Sequence, residues 1–230
     1  MKISIHFLLF GRAINLKGAA INSWLIVMLL SAAVIIIGKK IKNSKLDERA
    51  SGSVIAAEIF VEKIEGLVLS TMGANAKGFA PYIGTLILFL VCANLLGLLG
   101  LETPTSDYST TLALAMITFL MIQFVGIHSK GIKDYFKGFA APTAVLLPIN
   151  LISEIVTPIS LSFRLFGNMI SGTIIMALIF SALNSISIVI VPFIAPFLNA
   201  YFDVFVGIVQ TFIFAMLTMV FVGNKMKMES

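Results

Sequence analysis

The sequence predicts an all-α polytopic membrane protein of about five crossings, the last two long and strongly tilted, plus one amphipathic surface helix. Three observations carry that prediction. The 230 residues are 59% hydrophobic and only 12% charged, with a mean hydropathy of +1.04, where a soluble domain carries about 25% charge. The apolar residues run continuously instead of alternating, which excludes a transmembrane β-barrel. The basic residues gather in short segments between apolar runs, so the net charge of +5 is a topology signal and not a nucleic-acid signal.

Along the chain, residues 1–18 are short and mixed, with Lys2, Arg12 and Lys17. Ile21 to Gly38 is the first apolar run. Lys39-Lys40 follows it in place of a small-residue cleavage site, so it reads as a retained anchor and not a signal peptide. Residues 1–38 thus form an N-terminal segment and first span, and residues 39–77 a cytoplasmic loop with an amphipathic helix. In that helix Glu58, Glu62 and Glu65 share one face and Phe60, Ile64 and Leu67 another, as expected of a helix lying on a membrane or against a partner. Residues 78–137 form a two-span hairpin: Tyr82 to Leu101, an outer turn Glu102-Thr-Pro-Thr-Ser-Asp107 without basic residues, Thr110 to Ile127, then a basic inner segment with Lys130, Lys133 and Lys137.

Residues 138–230 hold two very long apolar runs, Gly138–Ala182 and Ser187–Gly223, punctuated by Pro142, Pro148, Pro158, Pro192 and Pro196. As one helix the first would extend on the order of 65 Å at 1.5 Å per residue, twice the hydrocarbon thickness of about 30 Å. Each run is therefore a hairpin of two spans or one tilted helix. The connection Leu183-Asn-Ser-Ile-Ser187 lacks basic residues and the tail after Asn224 is basic, which favours single helices with the C-terminus inside.

Within these runs only Glu154, Arg164 and Asp203 carry standing charge. A guanidinium does not lose its charge in a protein, and placing one at mid-helix depth costs about 2.5–3.5 kcal/mol on insertion scales. Ser153, Thr157, Ser160, Arg164, Asn168 and Ser171 fall at helical spacing on one stripe, and Gly167 and Gly172 thin the surface beside it. Asn199, Asp203, Gly207 and Gln210 form a second stripe. With the two helices antiparallel, Gln210 is placed to hydrogen-bond Arg164, with Asp203 toward the outer face and Glu154 toward the inner. Carboxylates on either side of a central cation suggest two separate approaches to it.

Other chemistries find no residues. Cys92 stands alone in an apolar run, His6 and His128 flank runs, and there is no phosphate loop, metal spacing or nucleophile–base pair. No cofactor and no metal are expected. Arginines at three-residue spacing, the mark of a voltage sensor, do not occur. Two readings from different classes remain: a subunit that meets an external counter-charge with Arg164, or a stand-alone channel or secondary transporter whose arginine binds an anionic substrate.

The segment Ser160-Leu-Ser-Phe-Arg-Leu-Phe-Gly-Asn-Met169 resembles the signature of subunit a of the F-type ATP synthase membrane sector. Tyr82 to Gly97, Pro104-Thr-Ser-Asp107, Thr111-Leu-Ala-Leu-Ala115 and Gln210-Thr-Phe-Ile-Phe214 resemble further segments, so the likeness spans roughly residues 80–222. It implies a stator subunit in a bacterial plasma (inner) membrane, without catalysis of its own. It implies as partners a ring of c subunits, a b-subunit peripheral stalk and the lipid bilayer, with no nucleic acid. Arg164 matches the arginine that meets the ring carboxylate and blocks leakage, Gln210 the glutamine facing it, and Asn168 the asparagine one turn on. Glu154 matches an inner half-channel carboxylate, with Ser160, Ser171 and Asn199 along the ion path. Many members place Glu where this chain has Thr173 and His where it has Asp203, a pair lining the outer half-channel. That departure leaves H+ and Na+ both open as the coupling ion.

Overall fold

The computed structural model describes residues 5–9, 12–16, 18–43, 51–139, 143–186 and 191–227. Pro142, Ser187 and the basic residues Lys2 and Lys17 lie outside these. Eight α-helices follow one another: α1 (Gly18–Asn43), α2 (Gly52–Met72), α3 (Ala80–Leu95), α4 (Tyr108–Lys130), α5 (Ile132–Gly138), α6 (Leu147–Ile186), α7 (Val191–Asn199) and α8 (Gly207–Lys227). One turn of π-helix, Ala200–Val206, joins α7 to α8 without a break. Ahead of α1, β1 (Ile5–Leu9) and β2 (Arg12–Leu16) pair as an antiparallel hairpin, from Ile5 opposite Leu16 to Leu9 opposite Arg12. The sequence assigns no element there; the other elements among the described residues are helical, as the fold class predicts.

Among the described residues five helices are long and apolar enough to cross a membrane: Gly18–Asn43, Ala74–Leu99, Tyr108–Lys130, Leu147–Ser185 and Val191–Met226. Within the two long apolar runs, the described residues 147–186 and 191–227 each form one continuous helix, not a hairpin. The 40 residues of α6 extend about 60 Å at 1.5 Å per residue, so in a core of about 30 Å the helix must tilt or project. Pro158 lies inside it. Its ring removes one donor, the one that would bond the carbonyl of Glu154.

Local signals set the ends. Pro81 in the first turn of α3 lacks only an N–H that no helix would use there. Asp107 caps α4 by accepting from the backbone N–H of Ser109. Gly131, at φ +75°, ends α4 in a conformation open to glycine and lets α5 fold back beneath it.

Helix α8 is the centre of the packing. At its C-terminal half Met219 and Val222 meet Ile64, Val68 and Met72 of α2, Ala80 and Ile83 at the foot of α3, and Ile122 and Val125 of α4. Higher up, Phe214 meets Leu86 and Leu90 of α3, Ala115 of α4, and Leu161 and Leu165 of α6. The amphipathic helix α2 thus lays its Ile64–Val68–Met72 face into the bundle while Glu58 and Glu62 stay exposed. Helix α1 stands at the edge, held by Asn22, whose Nδ2 donates to the carbonyl of Glu102 at 2.7 Å. Its Trp24, Met28, Leu29, Val34 and Ile36 are exposed, an all-round apolar surface that suits lipid.

Glycine allows α3 and α8 to approach closely. A Cβ on Gly207 of α8 would lie 2.8 Å from the Cβ of Asn94 on α3, whereas one on Gly66 would meet nothing within 4 Å. Gly207→Ala is expected to force α3 and α8 apart and to cost about 1–3 kcal/mol, while Gly66→Ala is neutral or stabilising. Thermal melting of the detergent-purified protein, followed by aggregation, checks the difference.

Candidate functional site

Arg164 sits near the middle of α6, on the face turned away from the bundle. Leu161, Ser162 and Leu165 anchor the opposite face, with Ser162 Oγ 3.4 Å from Thr111 Oγ1 of α4. Tyr108, at the start of α4, packs its ring against Phe163 and Phe166 at 5.3 and 5.5 Å between centroids and fixes the roll of the helix here. The guanidinium therefore projects outward. Among the described residues it has no ion-pair or hydrogen-bond partner.

The polar stripe follows it onto this open face. Ser153, Ser160, Asn168 and Ser171 are exposed, and Ser153, Thr157 and Thr173 turn their hydroxyls back to the carbonyls of Ile149, Ser153 and Met169 in their own helix, each at 2.9 Å. The two stripes do not face each other along their length. Helix α6 packs mainly on α4, and it reaches the last helix at three levels.

The middle level is Asn168, whose Nδ2 donates to Gln210 Oε1. The sequence reading paired Gln210 with Arg164; in the structure its oxygen accepts from Asn168 instead. Gln210 is only 3% exposed, and its Nε2 has no hydrogen-bond partner among the described residues. An orphaned buried amide N–H is costly, so this level is incompletely satisfied among the described residues.

The second level lies at the π-turn. Gly172 of α6 abuts Phe202, at 3.6 Å from a built Cβ. Asp203 lies against Gly97, where a Cβ would come within 2.8 Å of its carboxyl carbon. Next to it is a buried polar hub. Asn94 Nδ2 donates to the carbonyl of Gly207 at 3.0 Å and to Thr211 Oγ1 at 3.3 Å, and Asn94 Oδ1 accepts from Thr105 Oγ1 at 2.8 Å. The hub ties α3, the α3–α4 connection and α8 together. A π-turn re-aims side chains by one position and recurs at functional sites; here it turns Asp203 onto Gly97, just past the end of α3. Thr173 and Asp203 are not hydrogen-bonded to each other, and Asn199 is exposed at the end of α7.

The third level closes around Glu154. One carboxylate oxygen accepts from Gln123 Nε2 of α4 at 2.7 Å and the other from Lys225 Nζ of α8, an ion pair with both side chains about one-fifth exposed. Tyr135 of α5 donates its hydroxyl to Gln123 Oε1, and Lys225 Nζ lies 3.4 Å from that hydroxyl oxygen. The four groups form a closed ring drawn from four helices. Burial pushes the Tyr135 phenol above its usual range, against the opposing pull of the Lys225 charge, so it stays a donor at neutral pH. Gly126 makes the room: a Cβ there would lie 2.6 Å from the Tyr135 ring. A pocket of about 270 Å³ opens beside the ring, lined by Ile122, Glu154, Thr157, Phe221, Asn224 and Lys225. No group of His, Cys, Asp and Glu suited to a metal ion occurs among the described residues.

Five long apolar helices, an unpartnered arginine at mid-helix and carboxylates at two levels above and below it define a multi-pass membrane protein built around a charge. The sequence profile of the ATP synthase A chain family matches residues 20–223. The chain is 35% identical over 217 residues to ATP synthase subunit a 1 of Crocosphaera subtropica, covering 94% of this chain and 90% of that protein. It is 31% identical over 212 residues to ATP synthase subunit a of Moorella thermoacetica, covering 92% and 91%. Over 168 residues it is 39% identical to ATP synthase subunit a 2 of a Bradyrhizobium species, covering 70% and 72%. The chain belongs to the ATP synthase A chain family.

Asn94, Gln123, Tyr135 and Lys225 escaped the sequence reading as site residues. Asn94 and Gln123 are polar residues in spans and carried a signal; Tyr135 and Lys225 lie in interfacial segments, where their residue types are ordinary. Removing one partner of a buried hydrogen bond costs more than removing both. Asn168→Leu is therefore expected to destabilise by about 1–3 kcal/mol, and Asn168→Leu/Gln210→Leu to be less harmful than that single change. Thermal unfolding of the three variants in detergent reads the order.

Proposed function

We propose that this chain is the ion-translocating stator subunit of a rotary ATP synthase, with Arg164 facing a carboxylate on a ring of c subunits. The observation that carries this reading is the guanidinium itself: permanently charged, at mid-helix, on an outward face, with no partner among the described residues. The magnitudes support an external counter-charge. A neutral hydrogen bond contributes about 0.5–1.5 kcal/mol net, too little to offset an insertion cost of about 2.5–3.5 kcal/mol. Two unit charges 4 Å apart attract by about 4 kcal/mol at an effective dielectric of about 20, which is enough.

The surface around Arg164 fits such a partner. Ile155, Ile159, Phe163, Ile174 and Leu178 of α6 are exposed, as are Phe205, Ile208 and Phe212 near the start of α8. A ring gliding past this apolar face buries it without interlocking. Gly167, open on this side, lets a facing helix come close. Arg164 attracts each ionised ring carboxylate and, as a fixed cation, bars an ion from passing straight between the two approaches. Asn168 and Gln210 hold the α6–α8 contact at that level.

In this reading Asp203 serves the outer approach and Glu154 the inner, with Ser160, Ser171, Thr173 and Asn199 along the path. The b-subunit stalk holds the chain against rotation, and ATP chemistry belongs to partner subunits. The chain sits in a bacterial plasma membrane with its C-terminus in the cytoplasm. H+ is the coupling ion this reading takes first.

Arg164→Ala is expected to abolish ATP-driven ion uptake into inverted vesicles while the complex still assembles; normal uptake in that variant would refute the reading. Asp203→Asn is expected to slow uptake with less effect on assembly. Rates compared across pH, with and without Na+, identify the ion: Na+ dependence that is lost in Asp203→Asn would replace H+ by Na+.

A further inference from the structure

The ring at Glu154 contains a cation of its own. Lys225 occupies one oxygen of the carboxylate on which an ion using the inner approach would dwell. The pocket beside it is lined by three residues whose side chains carry the oxygens a hard divalent cation seeks: Glu154, Thr157 and Asn224. The Thr157 hydroxyl spends its proton on the carbonyl of Ser153, which leaves its lone pairs available. Ile122 and Phe221 wall the pocket with hydrocarbon, where attraction between a bare carboxylate and a divalent ion is strengthened.

We propose that Lys225 is a tethered counter-cation that fills this place and keeps divalent cations from lodging at Glu154. This rests on the stator reading above. The lysine stem is flexible and its ammonium is a point charge, so it can leave the carboxylate and return without being lost to solvent. Where it meets the carboxylate, Nζ also lies 5.1 Å from the centre of the Tyr135 ring and 5.7 Å from that of Phe139, within the range at which aromatic faces hold a cation, so the two rings retain the ammonium at this mouth when it loosens from Glu154. Gln123, held by Tyr135, keeps the second carboxylate oxygen in position while the ammonium moves. Lys225 is thus a positioning and specificity residue for the inner mouth; it leaves room for a proton to pass and denies the site to hydrated divalent ions.

The test uses the whole complex in inverted vesicles. ATP-driven uptake is measured at saturating Mg-ATP while free Mg2+ in the bath is raised, each variant normalised to its own rate, with uncoupled ATP hydrolysis as the control for partner subunits. Lys225→Met is expected to be inhibited at several-fold lower free Mg2+ than the wild type, and Lys225→Arg to behave as wild type. Adding Glu154→Gln to Lys225→Met is expected to remove the extra sensitivity. Equal Mg2+ responses in wild type and Lys225→Met would overturn the proposal, as would sensitivity that persists with Glu154→Gln. Where Lys225→Met does not assemble, Lys225→Gln carries the same titration, and an unchanged response in it is equally decisive. Failure of the stator reading would show instead as absent ATP-driven uptake in the wild-type complex.

Discussion

A guanidinium that keeps its charge halfway along a 40-residue apolar helix is the constraint on which the rest of this structure depends. The helix must bury enough apolar surface elsewhere to hold that charge at depth, and it does so on one side only. Leu161 and Leu165 are pressed into the bundle while Arg164, one turn or less away, points out of it. The fold supplies a rigid backing for a charge that has no partner among the described residues.

That arrangement explains why α6 meets the last helix at separate levels and not along a continuous seam. A continuous seam would cover the arginine. Contact is instead made through Gly172 and Phe202, through Asn168 and Gln210, and through Glu154 and Lys225. Helix α8 takes its main support from α2, α3 and α4, with buried threonines bonded to their own helix, as Thr218 is to the carbonyl of Phe214 at 2.9 Å. Small residues and internally satisfied hydroxyls allow close packing where no water can serve as a partner. The π-turn at Ala200–Val206 then directs Asp203 onto Gly97 instead of into lipid.

Particular residues show how far a sequence carries. The spans were legible because an uninterrupted apolar run has one main use at this length. Arg164, Glu154 and Asp203 were legible because a standing charge in such a run is expensive. The choice between a tilted helix and a hairpin was not, since a proline such as Pro158 is compatible with both; the packing of α6 along α4 settled it. The hairpin at residues 5–16 carried no apolar periodicity by which to find it. Gln210 was legible as a polar residue opposite α6, but its partner was decided by the roll of two helices, which a stripe of spacings leaves free.

The sequence by itself determined the class of the protein, the position of its apolar runs, the charge at the middle and the family whose signature surrounds it. These follow from residue type and order, because solvation cost and helical period act locally. Only the tertiary structure decided what faces what: that Arg164 is left to the outside, that Gln210 meets Asn168, and that Glu154 is closed into a ring with Gln123, Tyr135 and Lys225. Such pairings join residues as many as 90 positions apart, as for Lys225 and Tyr135. They depend on side-chain volumes packed across several helices at once, information that no single segment contains.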